Sequence, residues 1–276
     1  MKKLTFILSI TLTLSAFAQV PSYVPTNGLV GWWPFNGNAN DESGNGNNGT
    51  VNGATLTTDR FGEVGNAYLF DENFINIENL PVQSNWTISG WFEAPISNNF
   101  GLQYFFGLGS QSFSAFGIPG FGLTGLNQQT PCFNLQPEAL LITDASTECL
   151  GVNFLSNYVP NTWYHAVIIG QGSSFSVYID GELIWNGNLN PINLDELIVG
   201  TRLIGYLGFK GKLDDIGIWN RALTNQEVAA LYNGCQQSIQ TQPQSQTASF
   251  NDNVQFTAAS SDPNATYQWQ TNVGLG

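Results

Sequence analysis

The sequence predicts an all-β fold, one large sandwich of short strands with one short C-terminal helix. Aromatic residues make up 13% of the chain and there are 30 glycines, whereas charged residues reach only 10%. Asn and Gly recur between short apolar runs, which is typical of strands joined by tight turns. The chain up to Gly234 leaves roughly 215 residues once a leader is removed, a size that one all-β domain can reach.

The leader is the N-terminal segment 1–18. Lys2 and Lys3 precede an apolar run from Leu4 to Leu14, and Ala16-Phe17-Ala18 offers a small-x-small cleavage pattern before Gln19. This arrangement predicts a secretory signal peptide, because the apolar run is too short to cross a bilayer. We therefore expect a protein that is secreted, extracellular or held at the cell surface, with no membrane span.

The charge of the chain limits its partners. Removing residues 1–18 leaves five basic residues against twenty acidic ones, a formal charge of about −15. A surface of this sign repels phosphate backbones, so nucleic acid is excluded as an expected partner.

The first strands can be placed from their apolar patterns. Leu29 to Phe35 is β-rich, and Pro34 argues for its end or for an edge. Trp86 to Ala94 alternates two sets of residues with the period of a sheet whose faces differ. Between Phe100 and Leu126 the period is poor, and we interpret this stretch as strands with bulges.

A three-stranded meander is the clearest local prediction. Strands are expected at Trp163 to Ile169, at Phe175 to Ile179 and at Glu182 to Trp185, with a first turn at 170–173. Asp180-Gly181 should form the second turn, of type I′, since glycine readily adopts a positive φ.

One helix follows the last predicted strand. Thr224 and Glu227 form a capping box, and Leu223 and Val228 are spaced as a hydrophobic staple. These signals predict a short helix from about Asn225 to Asn233.

The end and the orientation of this helix are also predicted. Gly234 is expected to stop it in the left-handed conformation. Val228, Leu231 and Tyr232 form the apolar stripe, so the helix should cover one end of the sandwich.

Three cysteines remain in an oxidising destination. Cys132 and Cys149 are expected to pair, which would close a loop worth about 3 kcal/mol in the chain-entropy model. Cys235 is then left without a partner in this chain. The alternative, a metal-binding cysteine cluster, needs closer spacing and more ligands.

From Cys235 the texture becomes rich in Gln, Ser and Thr. Two strand-like runs, 253–258 and 266–270, the second centred on Trp269, predict that 235–276 is a linker followed by an incomplete immunoglobulin-like domain.

Two segments resemble a known family. Gly28 to Thr50, which reads GLVGWWPFNGNANDESGNGNNGT, resembles the opening of bacterial laminin-G-like domains of the concanavalin A type. Phe209 to Thr224, which reads FKGKLDDIGIWNRALT, resembles their closing segment. The resemblance implies a two-sheet antiparallel jelly-roll sandwich over 19–234 in a secreted protein of Bacteroidetes type, with the strands of Trp33 and Ile218 side by side.

The resemblance also implies a structural calcium ion near the loop after the first strand. Here that loop is Asp41 to Gly49, which offers the hard oxygen ligands that calcium prefers. The candidate ligands are Asp41, Asn45 and Asn47, with Asp214 and Asp215 from the last strand. Strand alternation would point Asp214 and Asp215 to opposite faces, so one of the two is expected to reach the ion. The alternative is that the loop only makes turns and that Asp41 caps one of them.

Catalytic patterns are missing from the sequence. Laminarinase-type enzymes of similar fold carry spaced acidic residues on one strand, whereas Asp195-Glu196 and Asp214-Asp215 are adjacent pairs. His165 is the single histidine and we expect it to pack within a strand. The catalytic set is therefore predicted to be empty, and the chain not to be an enzyme.

Binding is the remaining class. Exposed aromatic rings stack on sugars, and we select Trp91, Tyr178 and Trp185 as candidate ligand-binding residues. We expect a secreted, non-catalytic, calcium-stabilised module that binds carbohydrate or mediates adhesion, with a glycan or an extracellular protein as partner. The alternatives are a structural or protein-interaction repeat of a larger adhesin, and an accessory domain of a glycoside hydrolase.

Overall fold

The computed structural model describes residues 20–81, 84–95, 103–108, 120–123, 140–143, 149–152, 158–201, 208–234, 239–241, 255, 257 and 259–260. They form two large antiparallel sheets, one helix and a separate pair of short strands. The prediction of a two-sheet antiparallel sandwich with one short C-terminal helix is confirmed.

The larger sheet, named sheet A, has the order β13-β12-β11-β6-β15-β4-β3, with β1 also paired to β15. Its strands are β1 (Leu29–Trp33), β3 (Thr55–Thr58), β4 (Val64–Asp71), β6 (Asn85–Glu93), β11 (Trp163–Gln171), β12 (Ser174–Ile179), β13 (Glu182–Asn188) and β15 (Lys210–Trp219).

The second sheet, named sheet B, has the order β10-β9-β8-β7-β14-β5-β2. Its strands are β2 (Thr50–Asn52), β5 (Phe74–Ile77), β7 (Gln103–Leu108), β8 (Gly120–Leu123), β9 (Leu140–Thr143), β10 (Cys149–Val152) and β14 (Leu197–Val199). β7 and β8 lie in the stretch expected to contain bulged strands, and their register shifts between Tyr104 and Phe106.

The first strand lies against the last strand of the sandwich, as the resemblance implied. β1 and β15 are antiparallel, with Gly31 opposite Ile218 and Trp33 opposite Ile216. β1 ends at Trp33, directly before Pro34, which cannot donate a ladder hydrogen bond.

The predicted meander is present as β11, β12 and β13. Its second turn places both central residues at positive φ, 50° for Asp180 and 81° for Gly181, as a type I′ turn requires. The strands extend further than predicted and leave only Gly172-Ser173 for the first turn.

The main core lies between the sheets, and the central strands of both sheets contribute most of its residues. Trp86, Ile88 and Phe92 of β6 enter this core, where they meet side chains of sheet B such as Phe105 and Leu197. Burial of such large side chains is the dominant stabilising contribution, about 1.5 to 3 kcal/mol for each.

A second apolar cluster covers the opposite, outer face of sheet A. Helix α1 (Asn225–Gly234) contributes Val228 and Leu231, which pack with Trp32, Val167 and Trp219. The prediction that the helix covers one end of the sandwich is therefore wrong, because its apolar stripe lies on a sheet face. The capping box is confirmed, with Thr224 N donating to Glu227 Oε2 at 2.8 Å and Glu227 N donating to Thr224 Oγ1 at 3.3 Å.

Gly234 does not act as a left-handed stop. It is the last helical residue and has no positive φ. A Cβ at this position would lie 2.2 Å from atoms of Tyr23, so close approach of the N-terminal segment explains the glycine.

Several predictions fall largely outside the described residues. They are the signal peptide 1–18, the pairing of Cys132, the partner of Cys235 and the immunoglobulin-like domain, of which only β16 (Ile239–Thr241) and β17 (Ala259–Ser260) are described as a pair. Among the described helices, none is long and apolar enough to cross a membrane.

Candidate functional site

The Asp41 loop is held together by its own backbone. Asp41 Oδ1 accepts hydrogen bonds from Trp32 N at 3.0 Å and Ser43 N at 2.9 Å, and Oδ2 accepts one from Asn47 N at 2.9 Å. The N–H of Asp41 is itself bonded to Asn48 Oδ1 at 2.9 Å. Three N–H donors therefore satisfy this buried carboxylate without a charged partner.

The two asparagines of the predicted calcium set point their amide nitrogens inward. Asn45 Nδ2 and Asn47 Nδ2 both donate to the carbonyl oxygen of Val30, at 3.0 and 2.8 Å. These bonds tie the loop to β1. The loop is thus satisfied without a cation, and calcium binding there stays a prediction.

Asp214 and Asp215 have a different partner, Arg60 in the loop between β3 and β4. Arg60 Nη1 lies 2.7 Å from Asp214 Oδ2, and Nη2 lies 2.6 Å from Asp215 Oδ2. Both carboxylates therefore point to the same side of sheet A, and the expectation from alternation is wrong.

A β-bulge is the physical reason. The register between β15 and β6 shifts between Asp214 and Gly217, and Asp215 has a φ of 48°. Aspartate tolerates this left-handed conformation better than most residues, and the extra residue turns the second carboxylate to the same face as the first.

The acidic residues do not form one metal site. Within the described ranges, no group of three or more Asp, Glu, His or Cys side chains could hold a metal ion. Asp41 is thus not grouped with Asp214 and Asp215. The three acidic ligands of the predicted set are thus not brought together, and calcium binding by the loop residues stays a prediction.

Burial and the adjacent Asp215 raise the pKa of Asp214 well above its usual range, and Arg60 counteracts the rise. One guanidinium balances two buried carboxylates, so the cluster is sensitive to the loss of that cation.

Next to Arg60, Asp214 and Asp215 lies an aromatic stack that contains the single histidine, His165. The Trp91 ring is 5.1 Å from the His165 ring and 5.9 Å from Tyr232 of α1, and the guanidinium of Arg60 lies 4.7 Å from the Trp91 ring centre. His165 is buried, as predicted. Burial first, and the positive charge of Arg60 second, lower the pKa of His165 to about 3.

The histidine also meets a serine, but not in a catalytic arrangement. His165 Nε2 lies 2.8 Å from Ser89 Oγ, whereas Nδ1 has no hydrogen-bond partner among the described residues. Asp180 bonds to the backbone N–H of His165 instead of its ring. Within the described part of the chain no carboxylate orients the imidazole, and the side chains of Ser89 and His165 are buried.

The three aromatic residues selected from the sequence do not form an exposed platform. Trp91 and Tyr178 are only 4% and 6% exposed, because α1 lies over their part of sheet A. Tyr178 uses its hydroxyl to donate to Asn225 Oδ1 at 2.7 Å. Trp185 is half-buried and packs against the main core from the edge strand β13.

An aromatic ring that the sequence analysis passed over lies further along the same face. Trp163 is half-buried at the start of β11, opposite Glu93 of β6. Lys212 of β15 is paired with Glu93 at 3.0 Å, and its Nζ lies 5.9 Å from the Trp163 ring centre. Only the sheet register brings these residues together, so no local sequence signal could reveal the group.

A pocket of about 430 Å³ opens at the border of sheet B. Glu78, Asn79 and Leu80, which follow β5, line it together with Asp195 and Glu196, which precede β14. The sequence shows Asp195-Glu196 only as an adjacent pair without catalytic spacing, whereas the fold brings Glu78 to the same pocket. Carboxylates in such a pocket can accept hydrogen bonds from hydroxyl groups or repel anionic ligands.

Comparison with known families agrees with this architecture. Residues 71–229 match the laminin-G family described as the concanavalin A-like lectin/glucanases superfamily. The chain belongs to this family. The concanavalin A-like match runs from the last residue of β4 to the first half of α1 and therefore includes the bulged strand β15, His165 and Trp163.

Solved structures with the concanavalin A-like fold include a domain of an enzyme. Domain 4 of AbnA, a GH43 extracellular arabinanase from Geobacillus stearothermophilus solved with arabinotriose, matches with a TM-score of 0.56 and 20% identity, over 74% of this chain and 98% of that domain. At this level of identity the match shows a shared fold.

Two further similar structures come from larger proteins. The binding domain of Paraclostridial Mosquitocidal Protein 1 matches with a TM-score of 0.58 and 19% identity, over 76% of this chain and 53% of that one. The Trypanosoma rangeli sialidase with the inhibitor DANA matches with a TM-score of 0.53 and 15% identity, over 76% of this chain and 33% of the sialidase. No curated protein matches the sequence.

Proposed function

We propose that this concanavalin A-like domain is a secreted, non-catalytic carbohydrate-binding module. The observation that carries the proposal is the lectin-type sandwich itself, since the family match covers 71–229 and domain 4 of AbnA, solved with arabinotriose, shares the fold. Because one fold can host many functions, the use that this chain makes of its buried polar side chains is a second line of support.

The reactive side chains at the centre of sheet A are used for structure. Asp214 and Asp215 neutralise Arg60, and His165 is buried beneath Tyr232. A general acid or base must reach the substrate, and all three of these side chains are buried. This supports a binding role for the face.

A glycan array on the mature chain, residues 19–276, tests the proposal. We expect reproducible binding to neutral oligosaccharides, with the circular dichroism of a folded β protein in the same sample. If a folded sample binds no glycan, with or without calcium, the proposal fails and the alternative of a structural or protein-interaction repeat becomes the better account.

A hydrolytic role is the second candidate, favoured by the three carboxylates around the pocket between β5 and β14. Incubating the chain with the glycans that it binds, and measuring released reducing ends, distinguishes the two roles. We expect no release. Release that disappears in Glu78→Gln and Asp195→Asn variants would establish a glycoside hydrolase instead.

Calcium at the Asp41 loop is a separate proposal, supported by the family resemblance and by the oxygen-bearing side chains of the loop, of which Asn45 and Asn48 are exposed. A ligand that binds only the folded state at 100 times its Kd adds about 2.7 kcal/mol to stability. Calorimetry with calcium and with a chelator checks this. An unchanged melting temperature would remove calcium from the description of the protein.

A further inference from the structure

The outer face of sheet A changes from buried to open between two adjacent rows of residues. The row that contains His165, Trp91 and Asp214 lies beneath Tyr232 and Arg60 and is almost fully buried. Two residues further along each strand, on the same face, exposure rises to 15% for the side chain of Glu93, 26% for that of Lys212 and 40% for Leu69.

This open row is continuous across four neighbouring strands. Trp163 of β11 is opposite Glu93 of β6, Glu93 is opposite Lys212 of β15, and Lys212 is opposite Leu69 of β4. Neighbouring strands lie about 4.8 Å apart, so the row from Trp163 to Leu69 is about 14 Å long. We refer to Trp163, Glu93, Lys212 and Leu69 as the open row.

The open row combines the contacts that a sugar chain needs. The indole of Trp163 and the side chain of Leu69 provide apolar surface at its two ends. Between them Lys212 supplies hydrogen-bond donors and Glu93 supplies acceptors, and the two are held 3.0 Å apart by their ion pair. Aromatic rings beside a few fixed polar groups are typical of small-ligand sites.

The net charge of the open row and its surroundings favours an uncharged sugar over an acidic one. Lys212 and Glu93 cancel each other, and beside them Lys210 is 3.0 Å from both Asp71 and Glu72. No described lysine on this face is left to pair with an anionic ligand, and the mature chain carries a large negative charge. An acidic glycan would be repelled, whereas hydroxyl groups can bond to both members of the ion pair.

We propose that the open row is the binding site for an uncharged, linear oligosaccharide of about three sugar units, aligned across the strands. This inference rests on the proposed function and names the site and the class of its ligand. In this proposal Trp163 stacks on the sugar, whereas Trp91 and Tyr178 are buried and do not contact it.

Four variants of the mature chain, each measured by calorimetric titration with the strongest neutral array ligand, test the inference. Trp163→Ala removes the ring, and Leu69→Arg blocks the other end from an exposed position. Trp185→Ala is the control for loss of a half-buried tryptophan elsewhere, and Val64→Arg is the control for a new arginine on β4, because Val64 is 85% exposed outside the row.

We expect Trp163→Ala and Leu69→Arg to weaken binding about tenfold or more, and both controls to stay close to wild type. If the wild-type chain binds a glycan and Trp163→Ala and Leu69→Arg bind it equally well, the open row is not the site although the proposed function stands. A strongest array ligand that is acidic would overturn the ligand class. If the wild type binds no glycan, the proposed function and this inference fail together.

Discussion

The Asp41 loop and the Arg60 cluster, which consists of Arg60, Asp214 and Asp215, stabilise buried carboxylates in different ways. Each buries carboxylate groups at sheet A, and both were expected to share one calcium ion. Asp41 is satisfied by backbone N–H groups at most nine residues away. Asp214 and Asp215 depend on a guanidinium more than 150 residues away along the chain. A buried carboxylate can thus be stabilised by backbone donors of a local turn or by a cation from a distant part of the chain.

The two solutions should respond differently to mutation. Backbone donors remain in place whatever side chain is changed, whereas the guanidinium of Arg60 disappears with its residue. Removing one partner of a buried ion pair leaves an uncompensated charge, which costs more than the loss of neutral hydrogen bonds. Four predictions test this comparison, beginning with the largest effect.

Replacing Arg60 by methionine should cause the largest loss. Arg60→Met keeps much of the apolar stem but removes the guanidinium that lies 2.7 Å from Asp214 Oδ2 and 2.6 Å from Asp215 Oδ2. We expect the free energy of unfolding to fall by about 3 to 5 kcal/mol, measured by urea denaturation at pH 7. Arg221→Met is the matched control, since Arg221 pairs with Glu227 in a more exposed position and should cost under about 1 kcal/mol. Equal losses in the two variants would contradict the comparison.

Replacing Asp41 by alanine should cost less. The variant leaves the N–H groups of Trp32, Ser43 and Asn47 without their acceptor, and that of Trp32 is buried. We expect a loss of roughly 2 kcal/mol in the same denaturation experiment. Asp59→Ala serves as control, because Asp59 accepts bonds from Phe61 N and Glu63 N in an exposed loop. A loss at Asp41 that exceeds that of Arg60→Met would reverse the order.

Acid should lower the stability of the fold through His165, whose ring packs on Trp91 beside Arg60. Its folded-state pKa of about 3 lies below its ordinary value, so the unfolded chain takes up a proton below about pH 6.5 while the folded chain does not. Stability is therefore lost as the pH falls from about 6.5 towards 3, by roughly 2 kcal/mol at pH 5.

The raised pKa of Asp214 acts in the opposite direction, since the folded state then binds a proton more readily than the unfolded chain. The contribution of His165 is therefore measured as the difference between wild type and His165→Gln, followed by thermal unfolding from pH 7 to pH 5. We expect the wild type to lose more stability than the variant over this range. Parallel curves would show that the imidazole is not the group responsible.

The smallest effect is expected at the capping box, a second site of local satisfaction. Thr224→Ala removes the acceptor of the Glu227 N–H bond and should lower the free energy of unfolding by about 1 kcal/mol. Thr224→Ser, which keeps the hydroxyl, should recover most of the loss in the same urea titration. A loss in Thr224→Ser as large as in Thr224→Ala would assign the effect to packing of the methyl group.

The features predicted correctly from the sequence depend on residues close together along the chain. The Asp180-Gly181 turn and the Thr224 capping box follow from the φ angles and donors of a few residues. The pairing of β1 with β15 came from the family resemblance. The wrong predictions needed tertiary information, because the bulge at Asp215 broke the two-residue period and α1 buried the aromatic rings chosen as exposed.

The candidate site shows the same limit. Trp163, Glu93, Lys212 and Leu69 are spread along most of the domain, and only the sheet register makes them neighbours. The sequence shows the type of each of these residues, but only the tertiary structure shows that α1 covers the neighbouring row and leaves that of Trp163 open.

The position of β15 has a consequence for the order in which the domain assembles. β15 pairs with β1, β4 and β6, so sheet A consists of separate pieces until Lys210–Trp219 is in place. Contacts between such distant segments require loop closure before they contribute, which makes high-contact-order β proteins slow to fold. Until β15 pairs, the edges of β1, β4 and β6 that it will cover remain unpaired. An incompletely folded chain would aggregate through these unpaired edges.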